Sequence, residues 1–286
     1  MSTLDTTAAP GLSTEPTVTI RPPRSWGDLR LRELWSSREL VYFLTKRELQ
    51  IRYKQSFFGI AWAVLQPLGM AFIFALVFGH LANVPSEGIP YPVFALTALV
   101  PWLFTAQAVT QGANSLVLDA NLLAKVYFPR LVIPLSKVIA FAFDLAVALG
   151  VVIAFAFVYD VGIEWRILTI PAFLLLGALT TLGVATLLAA INVKYRDVLL
   201  AVPVIVQVWL FASPVIYPSS LIPGDWQYVY ALNPMVTVID GVRWAILGVS
   251  APELGTAAVS VASALLIAAV AIVYFRRTEQ FFADLV

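Results

Sequence analysis

The feature that most limits what this chain can fold into is the spacing of its charge. Five runs carry no Asp, Glu, Lys or Arg, at 55–86, 88–118, 167–193, 198–224 and 254–275. With a further stretch interrupted by one acid, Asp144, they supply six apolar segments at about 57–80, 93–113, 138–158, 167–191, 198–217 and 255–275. Each is near the ~20 residues that a helix needs to cross hydrocarbon. The connecting segments then sort by Lys and Arg. Nine precede the first apolar segment, none lies in 81–92, three lie in 114–137, one in 159–166, two in 192–197 and one in 218–254, and two follow the last. Sixteen of the eighteen therefore fall on one side of a six-span reading, the side that the positive-inside rule assigns to the cytoplasm. The expectation is an all-α, polytopic membrane protein with six transmembrane helices and both termini cytoplasmic.

Composition narrows the function. Hydrophobic residues make up 60% of the chain and charged residues 12%, about half the share usual in a soluble domain. A net charge of +1, with the bases spread along membrane edges, leaves no footprint for a nucleic-acid partner. There is no cysteine, which excludes disulfides, thiolate metal sites and thiol nucleophiles. His80 is the lone histidine and builds no metal site by itself, so no metal is expected. No Gly is followed by Lys, so the phosphate-binding loop of a P-loop ATPase is missing. Chemistry on a polyprenyl phosphate would call for clusters of acids or histidines, and none is evident. The chain is not expected to be an enzyme by itself. An ion-coupled carrier would show paired intramembrane charges or matched broken helices in two repeated halves. Here one acid stands alone and no repeat is evident.

Three regions follow: a tail at 1–25, an amphipathic interface helix within 26–56, and the six-span domain at 57–286. The tail is rich in Thr, Ser and Pro, lacks the apolar core of a signal peptide and reads as disordered. In the second region Leu40, Phe43, Leu44 and Ile51 share one helical face, with Arg47 and Lys54 intruding on it. A helix lying on the cytoplasmic leaflet fits, with the long basic stems snorkelling, and so does a helix docked on a soluble partner. Segment 114–137 predicts a short helix broken near Pro129 and Pro134. Residues 218–254 are long and aromatic but interrupted by Pro223, Pro234 and Gly241, which predicts one or two short re-entrant helices on the outer side.

Several motifs are similar to one known family, the membrane-spanning subunits of type 2 ABC exporters that move O-antigen, capsular polysaccharide or teichoic acid. The resemblance runs from about Leu34 to the C-terminus. It is carried by Lys46-Arg47-Glu48-Leu49, Arg52-Tyr53-Lys54-Gln55-Ser56, Gly59, Trp62 and Gln66-Pro67 before and within the first span, and by the run from Asn121 to Arg130. Tyr195-Arg196-Asp197-Val198, Ser213-Pro214-Val215-Ile216-Tyr217 and Asn233-Pro234 add to it. The resemblance implies a homodimer in the bacterial cytoplasmic (inner) membrane, bound to two copies of a separate nucleotide-binding subunit. ATP and Mg would be cofactors of that subunit and not of this chain. The cargo would be a lipid-linked glycan. A permease for another lipid or a drug-like cargo, and an ion-coupled secondary carrier, are the alternatives.

Three sets of residues are candidates for that work. Asn121, Leu122, Lys125, Tyr127, Phe128, Pro129 and Arg130 would touch the ATPase, because aromatics and Arg on a cytoplasmic loop are typical interface anchors; an ordinary basic loop is the alternative. Arg47, Glu48, Arg52, Tyr53 and Lys54 would close the cytoplasmic mouth or receive the pyrophosphate of a lipid-linked donor, or simply anchor to anionic lipid. Trp62, Trp102, Phe104, Trp209 and Tyr217 would stack on sugar rings along a conduit, against the alternative of an ordinary aromatic belt. Asp144, with Lys137 seven residues before it, reads as a structural ion pair or as a functional charge. Asp240 and Arg243, at i and i+3, read as a local pair on an outer helix.

Overall fold

The computed structural model describes residues 31–54, 56–125, 128–159, 161–162 and 164–279, and every regular element among them is a helix. Two helices come first, α1 (Leu31–Ser36) and the longer α2 (Arg38–Tyr53). Gly59, at a φ of 51°, then turns the chain into the first span, a left-handed conformation that costs little without a Cβ. The helices long and apolar enough to cross a membrane are α3 (Gly59–Leu81), α4 (Tyr91–Leu118), α6 (Val132–Val158), α7 (Trp165–Lys194) and α11 (Leu254–Glu279). Between them lie α5 (Ala120–Lys125), α8 (Val198–Phe211), α9 (Gly224–Tyr230) and α10 (Pro234–Leu247).

The axis of the bundle is α4. Of its membrane window 78% is buried, against 11% for the peripheral α3. It packs on α6 and α7, and α7 in turn packs on α11 and α10. In a membrane the drive for such packing is close contact, because lipid tails are as apolar as Leu. Small residues supply that contact: a Cβ on Gly112 of α4 would stand 2.8 Å from the Cβ of Ala185 on α7. Buried polar side chains then bond across helices, Thr181 to Thr105 at 3.0 Å and Asn192 to the Ala113 carbonyl at 3.0 Å.

Two expectations change. The fifth span is a 14-residue helix, α8, about 21 Å long at the usual rise and short of the ~30 Å hydrocarbon core. The chain leaves the helix at Phe211 and runs through 212–217 without regular structure, with Ser213, Pro214, Val215 and Ile216 buried. Backbone at that depth must be satisfied by protein, and here it is. Tyr91 donates to the Ile216 carbonyl at 2.6 Å, Asn233 to Ala212 at 2.9 Å, and Arg243 to Val215 and Tyr217 at 3.1 and 3.3 Å. Arg243 therefore does more than pair with Asp240, from which it stands 3.9 Å away. Its guanidinium stacks 3.7 Å from the centre of the Phe94 ring. The re-entrant reading of 218–254 matches α9 and α10, the second closed by Gly248 at a φ of 71°.

The second change concerns α2. Leu44 is buried and Leu40 packs beside it, but Phe43 and Ile51 are 70% and 69% exposed, so the four do not form one buried face. The stripe that docks is instead Leu40, Leu44, Glu48 and Arg52, spaced by four residues. Its lower half reaches α6 through charge, which an apolar count along the sequence does not detect.

Candidate functional site

The last turn of α2 carries Arg52 and Tyr53, and both reach Asp144 on α6. Arg52 Nη1 pairs with Oδ2, and the Tyr53 hydroxyl donates to Oδ1. The Arg52 guanidinium also lies 3.7 Å from the centre of the Phe141 ring. A charge inside a span is expensive unless it is paired or wet, and these two residues satisfy both oxygens of the acid. Burial, then the bond to the Asp144 carboxylate, push the Tyr53 phenol up to about 12, so it remains a donor at neutral pH. Asp144 takes its partners from α2 and not from Lys137.

This three-residue latch lines a cleft of about 190 Å³ whose wall also includes Trp62, Gln66, Phe104 and Gln107. Gln107 Nε2 donates to Gln66 Oε1 at 2.8 Å, which leaves both amides with unused bonding capacity. Aromatic faces beside free amide groups suit a ligand with C–H faces and hydroxyls.

A second charge cluster lies one turn back along α2. Arg47 meets Asp119 at 2.5 Å and Glu48 at 3.1 Å, while Lys137 meets Glu48 at 2.6 Å and Asp119 at 3.4 Å. Desolvation works against the Arg47 charge, but its hydrogen bonds to Asp119 and Glu48 outweigh that and hold its pKa above the ordinary guanidinium value. Asp119 is the elbow between α4 and α5, and its carbonyl accepts the amides of Leu122 and Leu123 at 2.9 and 3.2 Å. Lys54 is exposed and joins neither cluster's ion pairs.

Of the segment expected to meet the ATPase, Asn121 is exposed and Leu122 half-buried. The Lys125 side chain and the whole of Tyr127 lie outside the described residues. Phe128 is a correction to the partner-pocket reading. It is buried among Leu44, Leu116, Val132, Ile133, Val193 and Phe275, so it fills a pocket of its own chain where α2, α4, α6, α7 and α11 meet. The Pro129 carbonyl accepts the Val132 amide at 3.0 Å, opening α6, and Arg130 donates to the Glu279 carbonyl at 2.5 Å.

The aromatic set divides. Trp62 and Phe104 share the cleft. Trp102 is 2% exposed and packs edge-on to Trp209 with centroids 5.6 Å apart, so its place is the core and not a conduit wall. Trp209 Nε1 donates to Asn233 Oδ1 at 2.9 Å, and the Tyr217 hydroxyl donates to the Phe211 carbonyl at 2.9 Å. Trp209 thereby stitches the short fifth span to the re-entrant pair, and Tyr217 does so through its hydroxyl, which accepts from Tyr230 on α9 at 3.1 Å. The sequence reading missed the pairing of Glu48 with Lys137 and Arg52 with Asp144. Its signal is an acid followed by a base on α2, matched in order by a base followed by an acid on α6.

The family model for the ABC-2 type transporter matches residues 39–247. The chain is 34% identical over 258 residues to the O-antigen export system permease protein RfbA of Myxococcus xanthus, covering 88% of this chain and 97% of that relative. It is 30% identical over 203 residues to RfbA of Klebsiella pneumoniae, covering 70% of this chain and 77% of that relative. Against the polysialic acid transport protein KpsM of Escherichia coli it is 22% identical over 212 residues, covering 72% of this chain and 81% of that relative. With the family match spanning most of the bundle, and an RfbA protein aligned over nearly its whole length, the chain belongs to the ABC-2 type transporter family of membrane proteins.

Proposed function

We propose that this chain is the permease subunit of an exporter that carries a lipid-linked polysaccharide of O-antigen or capsule type across the bacterial inner membrane. A separate ATPase supplies the energy, two permease copies form the conduit, two ATPase copies bind them, and both termini face the cytoplasm. One observation carries the reading most directly: the cleft that joins the Arg52–Tyr53–Asp144 latch to Trp62, Phe104 and two amide side chains. A cation beside aromatic faces matches a donor with a phosphate at one end and sugars at the other. Arg52 is already paired, so an incoming phosphate competes with Asp144 for it. Binding of the donor and opening of the latch are then one event. Asn121 and Leu122 on α5 remain as the contact offered to the ATPase. Asp144 is committed to a pairing with Arg52 and Tyr53 that satisfies both of its oxygens, which argues against a proton-coupled carrier.

The test is genetic and chemical. Deleting the gene removes long-chain glycan from the cell surface, and the chain restores it only beside an ATPase with an intact phosphate loop. Trp62→Ala lowers export severalfold at unchanged protein level, the scale of one lost aromatic contact of ~1 kcal/mol. Normal surface glycan in the deletion strain would overturn the proposal.

A further inference from the structure

A second cleft, also about 190 Å³, lies at the far end of α3 from the latch, walled by the turn after α3, the 218–220 stretch, α9, α10 and the approach to α11. Its lining includes three carboxylates, Glu87, Asp240 and Glu253, and one cation, Arg243. The Arg243 side chain is 2% exposed, and its Nε has no partner although Nη1 and Nη2 are bonded to backbone carbonyls. Glu87 is held in place: its backbone has a φ of 54°, which a residue with a Cβ adopts only under constraint, and its carboxylate accepts from Ser220 Oγ at 2.8 Å. The Tyr230 hydroxyl connects the lining to Tyr217 at 3.1 Å, and so to the end of the fifth span.

The chemistry of the lining selects its occupant. Three acids against one base repel an anion. Among the described residues no three acids or histidines stand close enough to hold a metal ion. What is left is a set of acceptors spaced around a small volume, with the neutral donors Gln227 and Thr256 between them. Such a wall receives several hydroxyl donors from one uncharged molecule, and the volume is below that of sites for drug-sized ligands. We propose that this cleft is a subsite for a single neutral pyranose residue on the outer side of the permease. The inference rests on the export reading above, which brings sugars to this face.

The absence of any cysteine gives a clean probe. Ala251, exposed on the cleft wall, becomes Cys (Ala251→Cys) and is labelled from outside with an impermeant maleimide in the assembled transporter. Three probes are added in turn: the methyl glycosides of D-mannose, D-galactose and N-acetyl-D-glucosamine, each against glycerol at equal osmolality. At least one slows labelling about threefold, as occupancy at about twice its Kd requires, and Glu253→Gln in the same background removes that protection. If none of the three slows labelling, if glycerol slows it equally, or if Glu253→Gln keeps the protection, the subsite is refuted. Surface glycan of the same strains separates the two readings: export without protection sinks the subsite alone, whereas glycan that persists in a deletion strain sinks the export reading.

Discussion

Removing the charge from the latch tests whether it holds the cleft shut. Asp144→Asn keeps an acceptor for Tyr53 but leaves Arg52 without its counter-ion. The side chains of the pair are 25% and 17% exposed, so it belongs between two measured classes. Exposed pairs contribute about 0.2–1 kcal/mol, and breaking a fully buried pair costs about 3–5 kcal/mol. A value near 1.5 kcal/mol follows for this intermediate case, and every 1.4 kcal/mol is about tenfold in a population. The assay places a single cysteine on the cleft wall (Ala63→Cys), in a chain with no native cysteine, and follows its labelling in vesicles that expose the basic end. Asp144→Asn should label about tenfold faster than its parent, and the exchanged pair Arg52→Asp with Asp144→Arg should slow it again. Thermal unfolding of each variant checks that the bundle stays folded. An unchanged rate in a folded Asp144→Asn protein would refute the latch.

Two further outcomes follow from residues already placed. Phe128→Ala empties the junction of five helices and should cost about 3–5 kcal/mol, seen as a lower Tm and poor accumulation, whereas Asn121→Ala, at an exposed position, should leave Tm unchanged and weaken copurification with the ATPase. A lower Tm in Asn121→Ala would reverse that division. Tyr53, raised to about 12 in the folded chain against 10.0 for an ordinary phenol, adds stability that is fully present below pH 10 and lost as pH climbs toward 12. Tyrosinate absorbance should therefore show one late-titrating group that is missing in Tyr53→Phe, and identical titration curves would exclude it.

Much of this fold is legible in the residues because bilayer physics leaves few choices. Charge-free runs of spanning length give helices, and proline at 223 and 234 breaks the outer segment where α9 and α10 begin. The fifth span was not legible as a short helix. Its apolar run extends to Tyr217, and nothing local announces that Arg243, Tyr91 and Asn233 will accept the task of bonding 212–217. The residues at 47–54 were readable as a basic, aromatic run, but their partners were not, since Lys137 and Asp144 come from α6 and Asp119 from the elbow after α4. Composition also misled at Trp102 and Phe128: large aromatics look the same to a sequence reader whether they face a ligand, a partner or their own core.

The burial of Phe128 among five helices bears on how force would move through the molecule. A loop hanging free of the bundle would act as a soft spring, absorbing a push from an attached motor. Here the loop after α5 is wedged by Phe128 and tethered by Arg130 to the end of α11, while Asp119 ties its other side to α2 and α6. A displacement applied at α5 is therefore delivered stiffly, and at once, to the helix that bears the latch and to the last span. The mouth and the final helix would shift as one rigid floor, with little of the stroke lost in bending.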